Sequence, residues 1–118
     1  QAVAADGSLS LPFEVWREVF INDADLALAE TSYASLNPHP WRTFTDAIEL
    51  RANPAAFACG KSYLNCTEDT ALPPSHGWHP RLSQKLGLYR LIQVAGSHEL
   101  CFTAPDRLAH AIIRAGRD

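Results

Sequence analysis

An α/β fold built on a pair of parallel strands is predicted by three features of the sequence. Two short runs rich in aromatic and branched apolar residues, "KSYLNC" at 61–66 and "LYRLIQV" at 88–94, read as strands. Each is followed by a polar loop and then by a segment with helix signals, "WHPRLSQKLG" at 78–87 and "TAPDRLAHAIIRAG" at 103–116. Strand–helix–strand–helix at this spacing forms a βαβα unit, whose parallel strands are covered by helices.

The earlier elements are shorter. In "QAVAADGSLSLPF" the Asp6-Gly7 step is a turn signal between apolar stretches, and it predicts a hairpin or a loose ribbon. Over 12–20, Phe13, Trp16 and Phe20 recur at helical spacing. Asp23 opens "DADLALAETSYASL", which is rich in helix formers and predicts a helix over 23–36. "NPHP" at 37–40 breaks it, because Pro38 and Pro40 both disfavour helix. A further short helix is expected over 41–50, with Phe44 and Ile48 on one side. The first half thus reads as short helices joined by breakers, without an obvious sheet.

In the second half Gly87 stops the helix at 78–87. Thr103 is expected to cap the last helix, Asp106 suits its first turn and Gly116 ends it. Two parallel strands and two helices cannot cover a parallel sheet's faces alone. The chain is therefore expected to be the C-terminal part of a larger α/β protein. It contains no methionine and starts at Gln1, a start that reads as a cut or gap in a longer chain.

Composition narrows the function. With 118 residues and 47% apolar content the chain can bury one small core. Ten basic against thirteen acidic residues leave a net charge of −3, with no basic stripe, so a nucleic-acid partner is not expected. No apolar run approaches a membrane span and no stretch reads as a signal peptide, so a soluble, cytoplasmic protein without a membrane partner is expected. Cys59, Cys66 and Cys101 form no CxxC pair and read as free thiols of a reducing compartment, rather than as a nucleophile or metal ligands. Asn65-Cys66-Thr67 matches a glycosylation sequon, but at a strand end the match is read as accidental.

In an open parallel sheet, functional groups collect in the loops leaving the C-terminal ends of the strands. Here those loops carry Asp69 and His98. An acid followed by a histidine, in that order, is what the last two members of a hydrolase triad require. The carboxylate fixes the imidazole tautomer, and the other ring nitrogen serves as base to a serine. Glu68 and Glu99 are acidic neighbours that leave other pairings open. His39 lies between prolines and His110 on the expected solvated face of the last helix. His76 and His79 share the region after Asp69, but "SHGWHP" has no accepted metal-ligand spacing, and no metal site is expected.

"KSYLNCTEDTALPPSHGWHPRL" followed by "LYRLIQVAGSHELCFTAPDRLAHAI" resembles the end of an α/β-hydrolase, in the group of plant methyl esterases, hydroxynitrile lyases and related bacterial esterases. In that group a Thr-x-Asp step after the penultimate strand supplies the acid, and a Gly-x-His step after the last strand supplies the base. Thr67-Glu68-Asp69 and Gly96-Ser97-His98 match these steps residue by residue. "DGSLSLPFEVWREVFINDADLALAETSYASLNPHP" resembles the later part of the group's helical cap. The resemblance implies a cap segment over 1–55 and the C-terminal part of the core over 56–118. Caps of this group line the substrate pocket, which makes Phe13, Trp16 and Phe20 candidate substrate-binding residues. Trp41 is a further pocket candidate, and Trp78, near the acid loop, reads as core.

Two departures from the group matter. Its hydroxynitrile lyases carry a lysine directly after the histidine, where this chain has Glu99. No Gly-x-Ser-x-Gly nucleophile elbow and no oxyanion-hole loop occur in this sequence. The implied activity is therefore hydrolysis of a small apolar carboxylic ester by a Ser-His-Asp triad. The serine would come from the N-terminal half of the same hydrolase, in the same or a separate chain. This chain alone is expected to be inactive. No cofactor is implied, and self-association as a homo-oligomer is compatible with the reading. The alternatives are a hydroxynitrile lyase-like or other non-hydrolytic use of the triad, or a non-catalytic fragment acting as an interaction or folding module.

Overall fold

The computed structural model describes residues 3–117, so the first two residues of the expected ribbon lie outside the described residues. The sheet of the second half is a parallel pair, β3 (Ser62–Cys66) and β4 (Arg90–Val94), in register from Ser62 opposite Arg90 to Cys66 opposite Val94. Alternation along the strands sends Leu64, Cys66, Ile92 and Val94 to one face. The last helix, α5 (Pro105–Ala115), closes that face with Leu108, Ala111 and Ala115. Leu100, from the short helix α4 (Leu100–Thr103), completes this core at 1% exposure. Burial of these side chains is the main force holding the helix to the strands.

The first half packs around a second core of Trp16, Ile21 and Ala29. Its helices are α1, formed by Phe13–Val15 and a wider turn at Trp16–Phe20, and α2 (Leu26–Tyr33), which Asp25 caps by accepting the Leu28 N–H. A two-residue antiparallel ribbon joins β1 (Ser8–Leu9) to β2 (His39–Pro40). The Asp6-Gly7 turn is present, closed by the Ala4 N–H donating to the Ser8 carbonyl (2.8 Å), and the chain it leads into also pairs with the 37–40 breaker.

Three expected elements differ. The helix expected over 41–50 shrinks to α3 (Arg42–Thr45), because Ile48 is 85% exposed and no core is there to sustain a longer helix. The stretch 78–87 forms irregular turns and a 3-10 helix at Ser83–Leu86 instead of an α-helix. Ser83 is fully buried there, its hydroxyl shared among His79, the Pro80 carbonyl and the Tyr89 hydroxyl, and Gly87 ends the segment at φ +71°. Those side-chain bonds compete with regular helix hydrogen bonding. Finally, Thr103 does not cap α5. Ala104 occupies that position, Pro105 needs no partner for an absent N–H, and the Thr103 hydroxyl donates to Asp23 instead.

Candidate active site

Backbone bonds continue past the ends of the parallel strands. The Thr67 N–H donates to the Val94 carbonyl (2.9 Å) and the Glu68 N–H to the Gly96 carbonyl (3.0 Å). The acid loop and the histidine loop therefore leave the sheet side by side. Gly96 is required in this turn: its φ is +144°, and a Cβ there would run into the Leu100 side chain.

This geometry brings Asp69 and His98 together. Asp69 Oδ2 lies 2.8 Å from His98 Nδ1, while Asp69 Oδ1 accepts the Ala71 N–H at 2.8 Å. Both carboxylate oxygens are thus engaged, and the side chain is only 13% exposed against 31% for His98. The Asp69 carboxylate accepts a hydrogen bond from Nδ1–H, which selects the imidazole tautomer with a lone pair on Nε2. Among the described residues no hydrogen bond occupies Nε2. The imidazole is held on two sides, edge-on to Phe20 (centroids 5.3 Å apart, 82°) and stacked on Trp78 (5.8 Å, 21°). The pair is arranged for proton transfer at Nε2.

Two clefts lie nearby, of which only the first is lined by the pair. Asp69, Trp78 and His98 line one of about 220 Å³, together with Tyr63 and Cys66. Burial, followed by the Asp69 charge, pushes the Cys66 thiol up, and burial likewise raises Cys101, so neither is disposed to act as a thiolate. The second cleft, about 470 Å³, lies among the elements of the first half and is lined by Trp16, Phe20, Tyr33, Phe44 and Glu99 among others. Trp16 and Phe20 border this cleft, and Phe13 does not. Phe13 instead packs edge-on against Tyr33 (5.2 Å) in the cap core. Trp16 is itself 3% exposed, its indole N–H donating to the Ala29 carbonyl and the Ser32 hydroxyl. Trp41 is 39% exposed and borders neither cleft.

The other polar candidates lie elsewhere. The Glu68 side chain is exposed on the outside of the acid loop, and Glu99 Oε2 accepts from the Cys101 thiol. His76 and His79 pair with Ser75 and Ser83, His39 contacts Thr43, and His110 is exposed on α5. Among the described residues no group of three or more His, Cys, Asp or Glu side chains is placed to hold a metal.

No protein-family model and no curated protein sequence matches the chain. A solved structure does: an extracellular α/β-hydrolase from a Paenibacillus species, described as sharing structural and functional homology with tobacco salicylic acid binding protein 2. It superimposes with a TM-score of 0.86 at 36% sequence identity, over 95% of this chain. The chain has the fold of the matching part of an α/β-hydrolase. It covers 47% of the matched protein and so spans about half its length, corresponding to the C-terminal half of that α/β-hydrolase.

Two features of this site are absent from the sequence reading. Trp78 is a ring neighbour of His98, and its buried indole N–H has no hydrogen-bond partner among the described residues. Asp23, expected to open a helix, instead bonds to the histidine loop at Ser97. Proximity in sequence to the acid loop was the one signal for Trp78, and Asp23 had none.

Proposed function

We propose that this chain supplies the acid and the base of a serine esterase that hydrolyses small, apolar carboxylic esters. The observation that carries the reading is the 2.8 Å contact between Asp69 Oδ2 and His98 Nδ1 beside a cleft that both residues line. In the proposed mechanism a serine on a partnering N-terminal segment attacks the ester carbonyl. His98 Nε2 takes the serine proton as the tetrahedral intermediate forms, then returns it to the leaving alkoxide. Asp69 holds the ring and stabilises its positive charge. A second cycle, with water as nucleophile, releases the acid and restores the serine. Backbone amides of the N-terminal segment would stabilise the oxyanion.

The largely apolar lining around Trp16 and Phe20 supports a small apolar substrate. The solved relative's described functional homology to a salicylic acid binding protein is in keeping with such a ligand. Glu99, next to the base, supports hydrolysis over a lyase reaction that uses a lysine there. A cytoplasmic setting is part of the proposal, resting on the three free thiols, although the relative is described as extracellular. Among the described residues no helix is long and apolar enough to cross a membrane.

The test is p-nitrophenyl acetate hydrolysis by the chain together with its serine-bearing segment. His98→Ala is expected to abolish turnover, by roughly six orders of magnitude in kcat. Turnover surviving that substitution would remove His98 from the mechanism.

A further inference from the structure

Residues 19–23, from the end of α1 into the turn before α2, touch both loops of the candidate site. The Thr70 hydroxyl donates to the Val19 carbonyl (2.8 Å), and the Asn22 amide donates to the Glu68 carbonyl (3.3 Å), fixing the acid loop. The Glu99 N–H donates to the Phe20 carbonyl (3.2 Å). On the histidine side Asp23 Oδ2 accepts from the Ser97 N–H (3.2 Å) and from the Thr103 hydroxyl (3.1 Å). Ile21, fully buried, fastens the same segment into the cap core. The two loops that hold Asp69 and His98 are therefore braced by one five-residue stretch of the cap segment.

Asp23 is the charged member of that brace. Burial raises its carboxyl, but the hydrogen bonds from Ser97 and Thr103 outweigh burial and leave it below the ordinary carboxylate value. Ser97 is fully buried and directly precedes His98. A shift of its backbone is therefore carried straight to the imidazole.

We propose that Asp23 is a positioning residue for ester hydrolysis, holding the Gly96-Ser97-His98 turn through Oδ2 so that His98 Nδ1 stays on Asp69. The inference rests on His98 being the base. It places the control of base alignment in the cap segment, so that cap displacement and loss of catalytic alignment are one event. Both bonds converge on a single oxygen, so the amide oxygen of an asparagine can accept them, whereas alanine cannot.

The experiment compares Asp23→Ala and Asp23→Asn in the esterase assembled with its serine-bearing segment, with His98→Ala as reference. Asp23→Ala is expected to lower kcat by about tenfold, with KM within about twofold, because only alignment is lost. The acid limb of its kcat/KM profile should lie at lower pH than in Asp23→Asn, since a displaced imidazolium is less stabilised by Asp69. Asp23→Asn, which removes the charge but keeps the acceptor, should recover most of kcat. Thermal melts correct each rate for the folded fraction. Parent-like kcat and acid limb in Asp23→Ala after that correction would reduce Asp23 to a structural residue, and equal losses in both variants would assign the effect to charge; either overturns the proposal. Should Asp23→Ala not fold, Thr103→Val, which removes one of the two bonds, should lower kcat by about threefold, and an unchanged kcat there overturns it equally. Activity surviving His98→Ala would instead refute the base assignment, a separate failure.

Discussion

The two halves of the molecule hold their functional groups by different means. In the sheet half, Asp69 and His98 sit on loops fixed by a parallel backbone ladder and by paired carboxylate bonds. In the first half, the 470 Å³ cleft is bordered by side chains of short helices packed on Trp16, Ile21 and Ala29, with Trp16 itself tied by its indole N–H. Backbone hydrogen bonds constrain position to a fraction of an ångström, whereas apolar packing tolerates changes of shape at modest cost. The contrast teaches a division between the halves: the sheet half fixes position through its backbone, and the first half leaves room for adjustment of shape.

Substitutions that respect or violate this division give effects of descending size. Asp69→Asn should lower kcat by about four orders of magnitude by disturbing the imidazole tautomer. Glu68→Gln, one residue away on the exposed side of the loop, should leave kcat within a few fold, and steady-state kinetics on the pair separates them. Equal losses would erase the distinction between the two acids. Trp16→Ala should destabilise the folded state by about 3–5 kcal/mol, since it empties the centre of the cap core, and denaturant unfolding measures this. A much smaller loss would show that the first half does not depend on that core. Phe20→Leu should change the preference between short and long acyl esters while reducing kcat far less than Asp69→Asn, read from a series of p-nitrophenyl esters. If it lowered kcat as severely, fit and chemistry would not be separable.

The smallest effect is on pH dependence. Burial raises the Asp23 carboxyl, but the Ser97 and Thr103 hydrogen bonds outweigh it and hold it below the ordinary carboxylate value, so its stabilising contribution is complete above the unfolded value and disappears as pH falls through the folded one. Asp23→Asn should therefore flatten the decline of Tm on the acid side below about pH 4, leaving the neutral range nearly parallel. An unchanged acid limb would contradict the hydrogen bonds assigned to Asp23.

What the sequence made legible is what local pattern sets, in either half. The strands over 62–66 and 90–94, the helix opened by Pro105 and the loop placement of Asp69 and His98 depend on local patterns, and these could be read. The segment 78–87 could not, because buried Ser83 trades regular helix bonding for contacts with His79 and Tyr89. Thr103 carries a helix-capping signature, yet Asp23, eighty positions earlier, takes its hydroxyl. The bond from Ser97 to Asp23 spans 74 positions, and periodicity contains no trace of it. Phe13, Trp16 and Phe20 share one helical spacing, and only packing against Tyr33 turns Phe13 away from the cleft that the other two border.

The central claim is that Asp69 holds His98 through Nδ1 and leaves Nε2 as the base. Nitrogen-15 NMR of the His98 imidazole, assigned against His98→Gln, reads this directly. Above the pH at which the ring becomes neutral, Nδ1 should carry the proton and Nε2 the lone pair, with that preference weakened in Asp69→Asn. A neutral ring protonated mainly on Nε2, or a tautomer indifferent to Asp69→Asn, would contradict the account.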